Sequence, residues 1–245
     1  MATQQSASQI CLLASRIAKG GTGMVALAGQ CLNIVLEELV LLRNLKVNRE
    51  TASILVSAGI YGPFDLPANY LRTYDMFYPL PTSGGGTASS MTQFLTWVTT
   101  KQFDAEFKSP SVSNYPYEFM TDLSVTAKNA SLTGAGQLFI YPQTSGSYNI
   151  THRYMIQRDQ IVNPESNSNP PWFADTMYMV NATAALMMGI TGDDRHAEFS
   201  AKAEKLLYPY LIQEGDEQPA ITKVELDPRT FHFNKGLKPT KAMPF

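Results

Sequence analysis

The apolar positions of this chain change period twice, and that change predicts its organisation. Over Ser6–Lys19, Ile10, Leu13, Ala14 and Ile17 recur at helical spacing, and Gly20-Gly-Thr-Gly23 breaks the run. Thr22 is a suitable cap for a second helix that the pattern carries to about Leu45. Its main stripe is Leu32, Val35, Leu36, Leu39 and Leu42, at the three- and four-residue steps of one helix face. Leu27, Ile34 and Leu41 form a second apolar line at seven-residue intervals, roughly opposite the first. A helix apolar on two sides has to be covered twice. The second cover is either the rest of its own core or a neighbouring subunit.

From about residue 50 the period becomes two. Thr51–Ala58 reads as a strand, Gly59–Pro67 as a turn, and Asn69–Tyr78 as a strand whose Tyr70, Arg72, Tyr74, Met76 and Tyr78 alternate against Leu71, Thr73, Asp75 and Phe77. Pro79 and Pro81 stop it, and Thr82–Ser90 is a Gly- and Ser-rich loop. Met91–Val98 predicts a short strand, Thr100–Phe107 a short helix or turn, and Tyr117–Val125 a half-buried strand. Leu138–Pro142 and Tyr148–Arg158 read as a β-hairpin across Gln-Thr-Ser-Gly-Ser, completing a single sheet, with Tyr148, Ile150, His152, Tyr154 and Ile156 on one face.

The helical period then returns. Pro171 suits the first turn of a helix that buries Phe173, Met177, Val180, Ala184 and Met187 and ends at Gly189. Thr191-Gly-Asp-Asp194 resembles a capping box for a last helix burying Phe199, Ala203, Leu206 and Leu207 and stopping at Tyr208-Pro209. Beyond it regular periodicity fades. The segment from Gln213 to Phe245 holds scattered lysines, prolines and aromatics, a composition that does not bury itself and is either disordered alone or ordered on a partner.

The expected fold is therefore α+β: a helical bundle made of an N-terminal and a C-terminal helix pair, a small, mostly antiparallel β-domain inserted between them, and an extended C-terminal arm. The divisions are 1–47 (N-terminal helices), 48–160 (β-rich region with the loop 82–90), 161–212 (C-terminal helix pair, packing on the N-terminal one) and 213–245 (arm).

Composition narrows the function. A net charge of −2, with only 16% of residues charged, argues against a dedicated nucleic-acid binder, which needs a basic face to neutralise phosphates. Cys11 and Cys31, the only cysteines, lie among apolar helical positions and read as reduced core thiols. No charged-then-apolar leader opens the sequence, and no apolar run approaches the ~20 residues of a bilayer span, so no membrane association is expected.

Chemistry is sparse. His152, His196 and His232 have no metal-ligand spacing, so no metal or other cofactor is expected. The glycines near residue 20 and at 84–86 are not followed by Gly-Lys-Ser/Thr, and there is no Gly-x-Ser-x-Gly elbow, Cys/His constellation or dinucleotide fingerprint. Glu118 and Asp122 share a strand face and are the acid pair most open to a cell-wall carbohydrate hydrolase reading. Tyr70, Tyr74 and Tyr78 form an aromatic face open to a glycan- or receptor-binding reading, although such faces more often pack against other elements. Solvation of the acids and burial of the tyrosines are the plainer accounts.

The order of these elements resembles the head-to-tail adaptors of short-tailed bacteriophages, of the tail-tubular-protein-A and portal-adaptor type. Gln30-Cys-Leu-Asn-Ile-Val-Leu-Glu-Glu38 looks like their long N-terminal helix, and Phe64-Asp-Leu-Pro-Ala-Asn-Tyr-Leu-Arg72 like the Leu-Pro lead into a strand. Tyr115-Pro-Tyr-Glu-Phe119 and Gln137-Leu-Phe-Ile-Tyr-Pro142 look like later strands, and Pro171-Trp-Phe173 through Tyr210 like the C-terminal helix pair. The likeness spans about residues 20–212; the loop 82–90 and the segment past 213 have no counterpart in it.

The resemblance implies a non-enzymatic virion protein made in the host cytoplasm. It would form a homo-oligomeric ring, commonly of twelve subunits, beneath the portal protein, and present a platform to tail nozzle or tail-fibre proteins. During genome ejection DNA would pass through its lumen without sequence-specific binding. On that reading Leu27, Ile34 and Leu41 make subunit contacts, and Arg229, Phe231, Phe233 and Lys235 dock the arm to the portal.

Overall fold

The computed structural model describes residues 4–80, 92–106, 112–123 and 136–214. The loop 82–90 and the proposed docking residues Arg229, Phe231, Phe233 and Lys235 lie outside them. The fold is α+β, with helices at both ends of the described chain and strands between them.

Helix α1 (Ala7–Ile17) starts at a capping box: the Gln9 N–H donates to Ser6 Oγ, and the Gln9 side chain accepts from the Ser6 N–H. Each end thus satisfies a donor the helix leaves orphaned, worth about 1 kcal/mol. Thr22 does not cap the next helix. It opens a 3-10 turn, Thr22–Met24, and α2 runs from Val25 to Leu42 with no side-chain cap. After the short α3 (Thr100–Glu106) come α4 (Thr176–Thr191) and α5 (His196–Glu214).

Ile10 of α1, Leu32 of α2, Met179 and Met187 of α4 and Leu207 of α5 belong to one buried apolar cluster. Each such side chain contributes about 1.5–3 kcal/mol by leaving water. Cys11 and Cys31 are buried there and free. Burial pushes the Cys11 thiol up to about 12 and the Cys31 thiol upward, so neither carries the thiolate that reactivity needs. Thr22–Leu42, at 21 residues and a mean hydropathy of 1.8, does reach the length and apolarity of a membrane span, against the expectation from single apolar runs. Its Cys31, Leu32, Val35, Leu36 and Leu39 side lies in the helical core.

Both ends of α4 and both ends of α5 differ from expectation. Pro171 is buried in an irregular segment before the helix, where the Gln4 amide donates to the carbonyls of Pro171 and Phe173 at 2.8 Å. The helix begins five residues later, where Asp175 accepts from the Tyr178 N–H at 2.8 Å, and Met177 faces out. At its other end α4 continues past Gly189 to Thr191 and stops on Gly192 in the left-handed region (φ 74°), where glycine costs least. Thr191 Oγ1 donates back to the Met187 carbonyl at 3.0 Å, so it cannot cap α5. Just before α5, Asp193 accepts from the Arg195 N–H at 3.0 Å and pairs with its guanidinium. Helix α5 runs through Pro209 to Glu214. A mid-helix proline costs about 3 kcal/mol; here Leu206, Tyr210 and Leu211 pack on the helical core and Tyr210 meets the Phe173 ring at 5.5 Å, which offsets it.

The strands are β1 (Arg49–Val56), β2 (Phe64–Asp65), β3 (Tyr70–Pro79), β4 (Thr92–Phe94), β5 (Thr96–Trp97), β6 (Val112–Ser113), β7 (Glu118–Asp122), β8 (Gln137–Tyr141), β9 (Gln143–Thr144) and β10 (Tyr148–Ile156). Among the described residues they form two four-stranded sheets, β1-β10-β3-β4 and β2-β8-β7-β5, and a small β6-β9 pair. The expected hairpin of β8 and β10 therefore does not form: its two arms lie in different sheets. The link between them is a crossover fastened by Thr144, which is fully buried, donates to the Gly146 carbonyl and accepts from the Gly59 N–H. The inner faces of both sheets meet in a second core that includes Met76, Tyr78, Phe119, Leu138, Ile140 and Ile150.

Strand β3 departs from simple alternation. Its pairing with β10 shifts register between Arg153 and Tyr154 and again between Met155 and Ile156. Each shift is a bulge that turns the following side chains over. Tyr70 and Tyr78 enter the core, whereas Tyr74 passes to the outer face, between Arg49 at 4.5 Å and Arg153 at 5.9 Å.

Candidate functional site

Arg72 joins the sheets to the helices. From β3 its guanidinium donates to the carbonyls of Val40 (3.1 Å), Leu41 (2.7 Å) and Arg43 (3.1 Å) and to Asn44 Oδ1 (3.0 Å). These carbonyls are the orphaned acceptors at the end of α2, and a cation there also opposes the negative end of the helix dipole. Arg158, just past β10, donates to the Val47 carbonyl at 2.6 Å and Asn48 Oδ1 at 3.1 Å, with the Trp172 ring at 5.8 Å. Two arginines thus hold the C-terminal half of α2 and the turn after it at a set angle to the first sheet.

The part of α2 held this way is its least covered. Leu27 is half-buried and packs on the helical core. Ile34 is 43% exposed, Leu41 49% and Leu42 71%. Of the seven-residue line, Leu27 is therefore an internal contact, while Ile34 and Leu41 are open. Leu42, expected on the buried stripe, is the most exposed of the three. The open end of α2 stands between two grooves. One, of about 300 Å³, lies toward the sheet and is bounded by Leu36, Glu37, Leu41, Leu71, Arg158 and Trp172. The other, of about 370 Å³, lies toward α4 and α5 and includes Glu38, Leu39, Leu42, Tyr178, Ala182 and Glu204. Apolar contact area with specific polar margins is what a protein interface presents.

The residues considered for catalysis and sugar binding are placed differently. Glu118 and Asp122 are half-buried on the single strand β7. Four residues of extended chain separate their Cα atoms by about 13 Å, wider than the roughly 5–10 Å between the carboxyl groups of glycosidase pairs. Tyr70 and Tyr78 are 6% and 0% exposed, so the expected aromatic face does not exist as a surface. The Tyr78 hydroxyl donates to the Pro116 carbonyl at 2.9 Å, and burial pushes it up to about 12.

His152 is fully buried in the β-core, with Nε2 3.0 Å from Thr73 Oγ1, which also bonds the Tyr70 hydroxyl at 3.0 Å. Burial pulls its pKa down to about 4, with Asp75 acting weakly the other way. His196 opens α5, and His232 lies outside the described residues. Among the described residues no group of three His, Cys, Asp or Glu is placed to hold a metal ion.

Arg72 and Arg158 were not anticipated as key residues. The one available signal was a lone arginine on the otherwise apolar and aromatic side of Asn69–Tyr78, which marks a charge needing a partner. No protein-family model matches this chain, and no curated protein matches its sequence.

Proposed function

We propose that this chain is a structural adaptor subunit of a bacteriophage virion, forming a ring under the portal that extends the DNA channel and joins head to tail. The observation that carries the reading is the exposed apolar pair Ile34 and Leu41, seven residues apart on one side of a helix whose opposite side is core. Leaving such a strip in water is unfavourable, and a neighbouring copy is the cover that a ring supplies at every subunit, through a heterologous contact that closes on itself. The resemblance of its element order and short motifs to head-to-tail adaptors supports the same role. In it the four long helices act as one bundle, the β-region is inserted as a platform, and the residues beyond α5 form an arm that docks to the portal through Arg229, Phe231, Phe233 and Lys235. A mildly acidic subunit lets DNA slide past, and no catalytic step is required.

The test is mass measurement of the purified chain with and without portal protein, for the native sequence and for Ile34→Asp/Leu41→Asp. A defined multimer, alone or on the portal, that the double variant fails to form while staying folded is the expected result. A native chain that remains a monomer in both settings overturns the reading.

A further inference from the structure

The groove between α2, α4 and α5 has a chemistry that one segment of this chain matches. Its floor is apolar and buried, with Leu39, Tyr178, Ala185 and Leu207 each 8% exposed or less. Its rim is the exposed Leu42 with two carboxylates, Glu38 from α2 and Glu204 from α5. Burial pushes the Tyr178 phenol up to about 12, Glu38 and, less strongly, Glu204 add to it, and Arg43 opposes them. Arg43 and His196 are the groove's own basic side chains. At about 370 Å³ the space lies within the roughly 300–1,000 Å³ of pockets that enclose a compact apolar ligand. The ligand it suits is an aromatic group flanked by cations.

Residues 228–245 hold Arg229, Lys235, Lys238 and Lys241 with no Asp or Glu, around Phe231 and Phe233. Residues 1–214 carry a net charge of −3, against +4 in residues 228–245, with a further −3 in the linking residues 215–227. Reach favours the same chain as the source. Helix α5 ends at Glu214, ten residues beyond Glu204, or about 15 Å along the axis. The 14 residues from 215 to 228 extend to about 50 Å at most. A tether that spans its site easily gives an effective concentration on the order of millimolar, above that of any second copy in dilute solution.

We propose that residues 228–245 dock in this groove of their own subunit, with Phe231 and Phe233 on the floor and the neighbouring cations against Glu38 and Glu204. The contact shields Leu42 and the groove until a partner takes the segment away. It does not depend on what that partner is. Ring formation is measured separately, so this inference and the adaptor reading fail independently.

The experiment is zero-length carbodiimide cross-linking of the full chain at low concentration, with peptide mass spectrometry of the monomer band. Links from Glu38 or Glu204 to Lys235, Lys238 or Lys241 are expected. They should fall about tenfold or more in Phe231→Ala/Phe233→Ala, which keeps every charge but loses the apolar anchors. Three results overturn the proposal. They are links missing from the monomer band, links confined to a dimer band (a second copy's segment), and links undiminished in the double variant (diffuse charge attraction alone).

Discussion

Replacing Arg72 with alanine tests whether one side chain sets the joint between helices and sheets. The guanidinium makes four hydrogen bonds, three of them to backbone carbonyls at the end of α2. A hydrogen bond to a charged group contributes about 1.5–3 kcal/mol where water is excluded. The Leu41 bond is open to solvent and the others are only part-buried, so the freed carbonyls rehydrate in part. Against that, Arg72 was itself desolvated, as the lowering of its pKa by burial shows. The net loss should be about 3 kcal/mol, which for a chain of this size lowers Tm by about 6–12 °C.

The loss should also be local. Amide hydrogen exchange at Leu39–Arg43 should accelerate more than in α1 or α4. Arg72→Lys should recover only about 1 kcal/mol, because a single ammonium cannot span the carbonyls that the planar fork reaches. Urea unfolding followed by far-UV circular dichroism, with exchange mass spectrometry, gives both quantities. A loss under about 1 kcal/mol, or a lysine variant equal to the native chain, would refute the view that this arginine fixes the joint.

Further expectations concern single sites. His152 has a folded pKa of about 4 against an ordinary 6.5, so between those values the unfolded chain binds a proton that the folded chain does not. Its contribution is therefore complete above pH 6.5 and falls by about 3 kcal/mol as pH drops to 4. His152→Gln, compared with the native chain by urea unfolding across that range, should remove this part of the pH dependence. Pro209→Ala should stabilise the chain by about 1–3 kcal/mol, since it restores a donor and relieves a ring clash inside α5; no rise in urea midpoint would mean that α5 has already adapted at that turn. Gly62 has φ 132°, and an added Cβ would lie 2.8 Å from the Leu138 carbonyl oxygen. Gly62→Ala should thus cost about 2 kcal/mol or more, and a thermal melt within a degree of native would contradict that.

What could be read before any coordinates was whatever neighbouring residues decide among themselves. Residues three or four apart on a helix share a face, so Ile10 and Ala14, or Leu32, Val35 and Leu36, mark buried stripes by spacing alone, and the Ile34–Leu41 line could be seen as a separate face. Strand alternation likewise placed Ile150, His152 and Tyr154 on one side of β10. Alternation names a face, however, and not the strand opposite. Nothing local to Leu138–Arg158 says that β8 and β10 pair with different partners, or that bulges in β3 send Tyr74 outward while Tyr70 and Tyr78 go in. Pro209 reads as a stop on local terms, and it is overruled by Tyr210 and Leu211 packing on residues far away in sequence. The Arg72 joint depends on carbonyls about 30 positions earlier, and the groove of Glu38 and Glu204 on two helices at opposite ends of the chain. Those arrangements come from long-range packing, whose energies exceed the propensities of short segments and are specified by no window of sequence.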